Sequence, residues 1–318
     1  MKKKYKRGLL FLFLCFLLIG ITGTKTVTEG EEKPVTISRE QTLVIGRVSD
    51  NPRKHYKRLK PIVDYVADHM KDLGIRQGSV LMAKNNQELI QYLNEGKVDW
   101  LTETIFSAIV FSDKAGAEIM LRRWKQGAPD YYSVFFARKN SGINSLEDLK
   151  GKKIAFEDPG SATAYFMPVH VLEKAGLNLV ELSSPRIDPP ADKIGYVFAG
   201  AELNISIWVH KGLVDAGAFS NLDWEDDLDT LIAFKKDLKI IYKTGLFPRA
   251  LELVRGDLDP KIKKRLKHVL MIAHNDAEAK EALNAYSKTI KFDEIKGGVK
   301  AELEDVRRNF KYIQKYLK

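Results

Sequence analysis

The chain of 318 residues is almost without cysteine, and its single thiol, Cys15, lies in an apolar run near the N-terminus. A mature chain that begins after this run, near Lys25, contains no cysteine, which excludes a disulfide framework and thiol chemistry. We therefore expect packing alone to stabilise the fold. The remaining length can bury a large core and favours two lobes rather than one.

The chain also lacks the usual catalytic patterns. Its six histidines show no His-x-x-x-His or Cys/His spacing, so no metal centre is predicted. Ser161 lies in Gly-Ser-Ala-Thr-Ala, which lacks the closing glycine of a nucleophile elbow, and no Gly-Lys-Ser/Thr phosphate loop occurs. We therefore predict neither an enzyme nor a cofactor.

Only one long hydrophobic run is present, from Gly8 to about Ile21, and five basic residues precede it. This layout is typical of a secretory signal, and the run is shorter than the roughly 20 residues of a comfortable membrane span. Residues 1–24 are predicted to be a signal peptide, with an uncleaved anchor as the alternative. Cys15 follows Leu14 rather than a small residue, which argues against acylation. We expect an exported protein, in the periplasm or on the outer face of the cytoplasmic membrane.

The formal net charge of +10 says little about partners, because five of the positive charges lie in the predicted signal segment. The other basic residues concentrate toward the C-terminus without a nucleic-acid-binding motif. We interpret them as solvated helix faces and predict a monomer that binds no nucleic acid.

Strands and helices alternate along most of the chain. Residues 25–41 are polar and are predicted to be a flexible lead-in. Strand patterns then alternate with helical ones, and the same alternation restarts after a long β-rich run from Tyr131 to Arg138. We predict that residues from Pro260 to Lys318 are helical. The pattern indicates the α/β fold class, with mostly parallel sheets whose ligands collect at the carboxyl ends of the strands.

The most informative segment runs from Ile154 to Gly176 and reads IAFEDPGSATAYFMPVHVLEKAG. It predicts a short strand, a turn and a helix that opens on Ser161 and Thr163. A helix N-terminus offers unpaired N–H groups and partial positive charge, which suit an oxyanion. The alternative is that Ser161 is an ordinary N-cap.

Four blocks of sequence carry a family resemblance: NPRKHYKRLKPIVDYVADHMKDLG, ELIQYLNEGKVDW, PDYYSVFFARKNSGINSLEDLKGKKIAFEDPGSATAYFMP and KGLVDAGAF. In this order and spacing, over about Leu43 to Pro248, the chain resembles the phosphate, phosphite and phosphonate ABC-transporter binding-protein family. The resemblance implies a two-lobe type II periplasmic binding protein fold that holds a small anionic ligand in an interlobe cleft and delivers it to an ABC permease. The predicted lobes are residues 42–130 with 244–318, and residues 131–243.

The resemblance also implies a ligand site. The phosphonate-binding Ser, Thr and Ser of the family fall on Ser161, Ala162 and Thr163, and the backbone N–H groups of Ala162, Thr163 and Ala164 can still donate. Tyr131 matches a pocket tyrosine, with interlobe packing as the alternative. The complete predicted set of ligand-binding residues is Ser161, Ala162, Thr163, Ala164, Tyr131, Thr102, Glu103, Thr104, Asn86 and Asn221.

Departures from the family pattern leave the ligand open. Members that bind aminoalkylphosphonates have a tyrosine where this chain has Asn86, and carboxylates where it has Leu222 and Ala250, so we expect an ammonium group to be poorly met. An ionised Glu103 would repel an oxyanion unless it is protonated, turned away or paired with a cationic ligand group. Its alternative role, like that of Glu202, is to complement a helix dipole.

These observations predict uptake of a phosphonate, phosphite or phosphate anion. Two alternatives stay open. One is a membrane-anchored ligand sensor that works with a signalling receptor. The other is the same fold with a different organic solute.

Overall fold

The computed structural model describes residues 38–49 and 51–316, so the predicted signal segment and the lead-in as far as residue 37 lie outside the described residues. Two six-stranded sheets flanked by helices make up this part of the chain. The first sheet contains β1 (Thr42–Val48), β2 (Gln77–Ala83), β3 (Trp100–Glu103), β4 (Glu118–Lys125), β13 (Leu251–Val254) and β14 (Thr289–Asp293). The second contains β6 (Ser133–Arg138), β7 (Lys153–Phe156), β8 (Leu179–Glu181), β9 (Ile194–Phe198), β10 (Ala216–Ser220) and β11 (Leu238–Lys243).

Ten α-helices connect and cover the strands in the described part of the chain. They are α1 (Pro52–Asp68), α2 (Asn86–Asn94), α3 (Ile105–Ala115), α4 (Met167–Lys174), α5 (Glu202–Lys211), α6 (Asn221–Glu225), α7 (Ile232–Lys235), α8 (Pro260–Ile272), α9 (Ala279–Ala285) and α10 (Gly297–Arg308). A π-helical turn, Ala162–Phe166, leads directly into α4.

The strand order of the first sheet is β14-β4-β13-β3-β1-β2. Strand β1 pairs in parallel with β2 and β3, whereas β13 runs antiparallel between β3 and β4. Strands β1, β2, β3 and β4 therefore all point the same way. Their carboxyl ends share one edge with the residues that enter β13.

The strand order of the second sheet is β11-β6-β10-β7-β9-β8. Strand β7 is parallel to β9 and β10, and β8 is parallel to β9, so only β6 runs in the opposite direction. This sheet also presents one edge that carries nearly all of its carboxyl ends. The two mostly parallel sheets confirm the predicted α/β fold class.

Two short strands join the sheets. Strand β5 (Asp130–Tyr131) leads into the second sheet, and β12 (Phe247–Pro248) returns from it and pairs antiparallel with β5. The rings of Tyr131 and Phe247 are 4.7 Å apart and both side chains are buried. Because both crossings adjoin the carboxyl edges of the sheets, the two edges lie on either side of this strand pair.

A buried polar cluster fixes the strands of the first sheet. Glu252 on β13 is fully buried, and its carboxylate accepts hydrogen bonds from Trp100 Nε1 at 2.7 Å and from the Tyr286 hydroxyl at 3.0 Å. Arg123 Nε on β4 lies 3.3 Å from the same carboxylate. Burial raises the pKa of Glu252 to about 7, with Arg123 acting in the opposite direction. The cluster therefore compensates buried charges between three neighbouring strands.

Several local predictions need correction. The segment after Pro260 is not wholly helical, because Thr289–Asp293 forms β14 at a sheet edge. The apolar pattern predicts no strand at Glu118–Lys125 or at Leu251–Val254, although both segments are strands of the first sheet. The long β-rich run divides at Tyr132 into β5 and β6.

Candidate functional site

The first sheet carries excess positive charge at its carboxyl edge. Arg47 lies near the end of β1, Lys125 ends β4, and Arg249 lies just before β13. We call these three residues the basic edge. The positive charges of Arg47, Arg123 and Arg249, together with Arg58 on α1, all act on Lys125.

Lys125 and Arg47 make no ion pair or hydrogen bond through their side chains within residues 38–49 and 51–316. Burial, followed by the neighbouring guanidinium groups, lowers the pKa of Lys125 to about 7. The Nε atom of Arg47 is buried without a hydrogen-bond partner among the described residues. Both residues are half-buried, and Glu103 is the carboxyl group on which Arg47 acts. Removing cationic groups from water is costly unless an anion meets them.

Arg249 is held in place by main-chain and side-chain oxygens. Its Nη1 donates to the Lys125 carbonyl at 2.6 Å, and its Nη2 donates to Gln126 Oε1 at 2.6 Å. Burial lowers the pKa of Arg249, whereas the nearby Tyr131 and Asp223 act in the opposite direction. Arg249 is therefore the member of the basic edge on which charged groups of the crossing strand and the second sheet act.

The carboxyl edge of the second sheet carries the opposite charge. Glu157 follows β7, Glu202 begins α5 after β9, and Asp223 lies in α6 after β10. We call these three residues the acidic edge. Burial and the neighbouring Glu202 raise the pKa of Glu157 to about 8, and burial also raises the pKa values of Glu202 and Asp223.

The helix start at Ser161 lies beside this acidic edge. The Ser161 hydroxyl accepts a hydrogen bond from the Ala164 N–H at 3.1 Å, so it is an N-cap. The same hydroxyl opposes the rise in the pKa of Glu157. Ala162, Thr163 and Ala164 are buried, and the Thr163 carbonyl accepts a bond from the Ser133 hydroxyl at 2.8 Å. The N–H groups of Ala162 and Thr163 are among the first of the helical turn, where no intrahelical partner exists.

Tyr131 and Asn221 lie at the crossing strands. Burial raises the pKa of the Tyr131 phenol, and Arg249, Asp223 and Glu157 are the charged groups that act on it. Its ring packs on Phe247, so the packing alternative for Tyr131 is present in the structure. Asn221 Oδ1 accepts a hydrogen bond from the Tyr132 N–H at 3.0 Å, which ties the end of β10 to the crossing segment.

The predicted ligand-binding residues Thr102, Glu103 and Thr104 of the first sheet have different surroundings. Thr102 is buried beside Glu252 and Tyr286, with its side chain on the strand face that carries Trp100. Burial raises the pKa of Glu103, against the opposing effects of Arg47 and nearby N–H groups. Thr104 is the N-cap residue of α3, but its side chain makes no capping bond.

Asn86, another of the predicted ligand-binding residues, begins helix α2. Asn85 is the N-cap of α2 and accepts the Glu88 N–H at 2.9 Å, whereas Asn86 is the first helical residue. Asn85 therefore satisfies the helix start, and the Asn86 side chain is not needed for capping.

In the described part of the chain, no group of three or more His, Cys, Asp or Glu side chains is arranged to hold a metal ion. None of the helices between residues 38 and 316 combines the length and apolar character needed to cross a membrane.

Two sheets joined by two crossing strands, with their carboxyl edges facing the crossing, define the class of type II periplasmic binding proteins. Residues 45–297 match the family described as "ABC transporter, phosphonate, periplasmic substrate-binding protein". The chain belongs to this family, as its sequence blocks predict.

Particular relatives agree with this assignment. The phosphonates-binding periplasmic protein of Escherichia coli (strain K12) is 28% identical over 253 residues, which cover 77% of this chain and 70% of that protein. The structure of XAC2383 from Xanthomonas citri bound to ATP is 34% identical, with a TM-score of 0.79 and coverage of 87% of this chain and 100% of that one. PhnD1 from Prochlorococcus marinus (MIT 9301) in complex with methylphosphonate shares the fold at 19% identity, with a TM-score of 0.59 over 86% of this chain and 100% of that one.

Sequence reasoning missed most of the charged groups at the two edges. Arg249 is one residue past the return proline, next to the position where an aspartate was sought. Lys125 was missed because β4 was not assigned. Glu157 precedes the Asp-Pro-Gly turn and directly follows β7, a position where strand-end side chains meet ligands in such sheets.

Proposed function

We propose that this chain is the solute-binding component of an ABC importer and binds a small phosphorus oxyanion between the carboxyl edges of its two sheets. The observation that carries the proposal is the basic edge, where the half-buried Lys125 makes no ion pair in the described part of the chain and the neighbouring Arg47 has a buried Nε atom without a hydrogen-bond partner there. A phosphate, phosphite or phosphonate group would supply charge-assisted hydrogen-bond acceptors there.

The finer features follow the same proposal. The two lobes, residues 42–130 with 244–318 and residues 131–243, close over the solute and exclude water. Tyr131, Thr104 and the N–H groups of Ala162 and Thr163 are candidate donors, while Asn86, Glu103 and Asn221 line the approach. The protein is a noncatalytic monomer without nucleic-acid partners, and it acts in the periplasm or on the outer face of the cytoplasmic membrane.

Isothermal titration calorimetry of the purified protein tests the proposal with phosphate, phosphite, methylphosphonate and sulfate. We expect at least one phosphorus anion to bind with a dissociation constant below about 10 µM, and sulfate to bind more weakly. Because XAC2383 has been solved with ATP, ATP belongs in the same panel as a larger phosphate ester. Absence of heat and of a thermal shift with every phosphorus compound would contradict the proposal.

A further inference from the structure

A short segment on the flank of the second sheet exposes several large apolar side chains to solvent. Leu228 is 76% exposed and Ile232 is 67% exposed, and Leu231 beside them is exposed as well. We call residues 226–232 the apolar loop. Large apolar side chains that lie this close together on a surface, with polar residues around them, are typical of sites that bind another protein.

The backbone of the apolar loop is held by hydrogen bonds to neighbouring helices. Thr230 is fully buried, and its hydroxyl donates to the Asp223 carbonyl of α6 at 3.1 Å. The Asp229 carbonyl accepts a bond from the Ser206 hydroxyl of α5 at 2.7 Å. The exposed leucines and isoleucine therefore project from an ordered segment, and a partner that binds them pays little conformational entropy to order it.

Negative charge surrounds the apolar loop. Residues 225–237 contain five acidic and two basic side chains. Lys235 pairs with Asp227 at 3.0 Å, whereas Glu225 and Asp226 are exposed and make no ion pair within the part of the chain that the structure describes. The matching surface on a partner is an apolar pocket bordered by arginine or lysine side chains. An anionic lipid surface is the wrong partner, because these carboxylates would be repelled from it.

The apolar loop lies close to the edge at which a solute would be held. Helix α6 directly follows β10, and the loop directly follows α6. Ser206, which bonds to the loop, is one helical turn after Glu202, the residue that begins α5 just after the carboxyl end of β9. A protein bound at the loop would thus lie beside the place from which the solute leaves. In a family of ABC-importer binding proteins, the protein that must receive the solute is the membrane-spanning permease.

We propose that the apolar loop, residues 226–232, is a docking surface on which an apolar pocket of the ABC permease, bordered by arginine or lysine, binds Leu228, Leu231 and Ile232. This inference rests on the proposed function and adds the residues through which the chain meets its membrane partner. It does not depend on which anion the chain carries.

Photocrosslinking in cells that produce the full chain identifies the molecule that binds the loop. The photoreactive residue p-benzoyl-L-phenylalanine replaces Leu228 in one protein and Ile187 in another. Ile187 is the matched control, because it is 46% exposed and follows β8 at the opposite end of the same sheet from β11, against which α7 packs. We expect position 228, and not position 187, to crosslink to a membrane-spanning permease subunit, as mass spectrometry of the product will show.

Substitutions then measure the contribution of the apolar side chains. The importer identified by the crosslink is reconstituted in lipid nanodiscs, and its ATP hydrolysis is titrated with the solute-loaded protein. Leu228→Ser combined with Ile232→Ser should raise the concentration needed for half-maximal stimulation about tenfold, as the loss of buried interface anchors implies. Ile187→Ser should leave that concentration unchanged. Calorimetry should give the same anion affinity for both variants as for wild type, because none of these residues lies at the carboxyl edges.

A second pair of substitutions tests the charges. Glu225→Gln combined with Asp226→Asn removes two exposed carboxylates but keeps an oxygen that can accept the Leu228 N–H, as Asp226 Oδ1 does at 2.8 Å. We expect about threefold weaker stimulation at low salt, and a smaller difference from wild type at about 0.5 M salt, where exposed charges are screened. An equal or stronger stimulation at low salt would contradict a basic border on the permease.

The outcomes separate this inference from the proposed function. Crosslinking of position 228 to a second copy of the chain, or to no permease subunit, would overturn the docking surface, as would unchanged stimulation by the Leu228→Ser, Ile232→Ser protein. Either result leaves the proposed function standing if a phosphorus anion binds in calorimetry. A permease crosslink from a chain that binds no phosphorus anion would support the docking surface and contradict the proposed solute.

Discussion

At the scale of single residues, the cations of the basic edge differ in how they are held. Arg249 is fixed by hydrogen bonds to Lys125 and Gln126, whereas the charged groups that act most strongly on the Lys125 ammonium are other cations. A guanidinium that is held in place orients the ligand group to which it donates hydrogen bonds. An ammonium without a counter-ion is the group that a bound anion stabilises most. The protein therefore accepts a stability cost at Lys125 that a bound anion would relieve.

Lys125 should make stability depend on pH. Its folded pKa of about 7 is below the ordinary value of 10.5, so the unfolded chain binds more protons between these pH values. The loss of folding stability caused by the buried Lys125 ammonium is complete below pH 7, and it disappears as the pH rises toward 10.5. We expect Lys125→Met to raise the free energy of unfolding at pH 6 by on the order of 2–4 kcal/mol, and by little near pH 10.5.

Urea denaturation of wild type and Lys125→Met at both pH values measures this difference. Lys264→Met is the matched control, because Lys264 is exposed and its removal should not change the pH dependence. A Lys125→Met protein less stable than wild type at pH 6 would show that the ammonium has a compensating partner in the fold.

At the scale of elements, the helix start depends on a proline as much as on a serine. Pro168 has no N–H to donate to the Ala164 carbonyl four residues earlier, and the Glu157 N–H donates to that carbonyl instead, at 3.2 Å. The π-helical turn Ala162–Phe166 lies just before this proline. The local break thus fixes the backbone of Glu157, and with it the first carboxylate of the acidic edge, against the helix.

The Ser161 N-cap of this helix start should make a measurable contribution to the free energy of unfolding. Ser161→Ala removes the acceptor for the Ala164 N–H and should lower the free energy of unfolding by about 1 kcal/mol. Ser161→Thr keeps an acceptor oxygen and serves as the control. Chemical denaturation gives the stability, and hydrogen exchange at the Ala164 amide reports the local bond; unchanged exchange in Ser161→Ala would contradict the capping role.

The elements differ in how well the sequence alone predicts them. The parallel strands with clear apolar runs, such as β1 and β7, and the Ser161 helix start were predictable because local pattern determines them. Strands β4 and β14 were not, because charged residues such as Arg122, Arg123 and Asp293 interrupt their apolar pattern and are neutralised only by distant partners. The proximity of the basic-edge residues depends on pairing between strands that are distant in sequence. The spacing of these residues along the chain therefore does not predict that they lie together.

At the scale of the whole molecule, contacts beside the crossing strands connect the two sheets. Phe106 on α3, which follows the first sheet, lies 5.3 Å from the ring of Phe166, which precedes α4 of the second sheet. On another side, Asp305 of α10 lies 2.7 Å from Lys174 Nζ of α4. A rotation about β5 and β12 that moves the sheets apart would break these contacts. The contacts therefore favour the arrangement in which the two sheets lie close together.

The aromatic contact gives the sharpest test of such a motion. Phe106→Leu and Phe111→Leu both shorten fully buried side chains of α3, and each should lower the free energy of unfolding by about 1–2 kcal/mol. Only Phe106 has a ring contact with the second sheet's helix in the described structure. Loss of that contact should shift the free protein toward separated sheets and weaken ligand affinity about three- to tenfold, because the ligand must then supply the closing free energy.

Calorimetry with methylphosphonate measures the affinity, and small-angle scattering of the free variants measures the radius of gyration. Equal affinities and radii for the two variants would mean that the contact does not control closure, and that the two sheets are held together elsewhere.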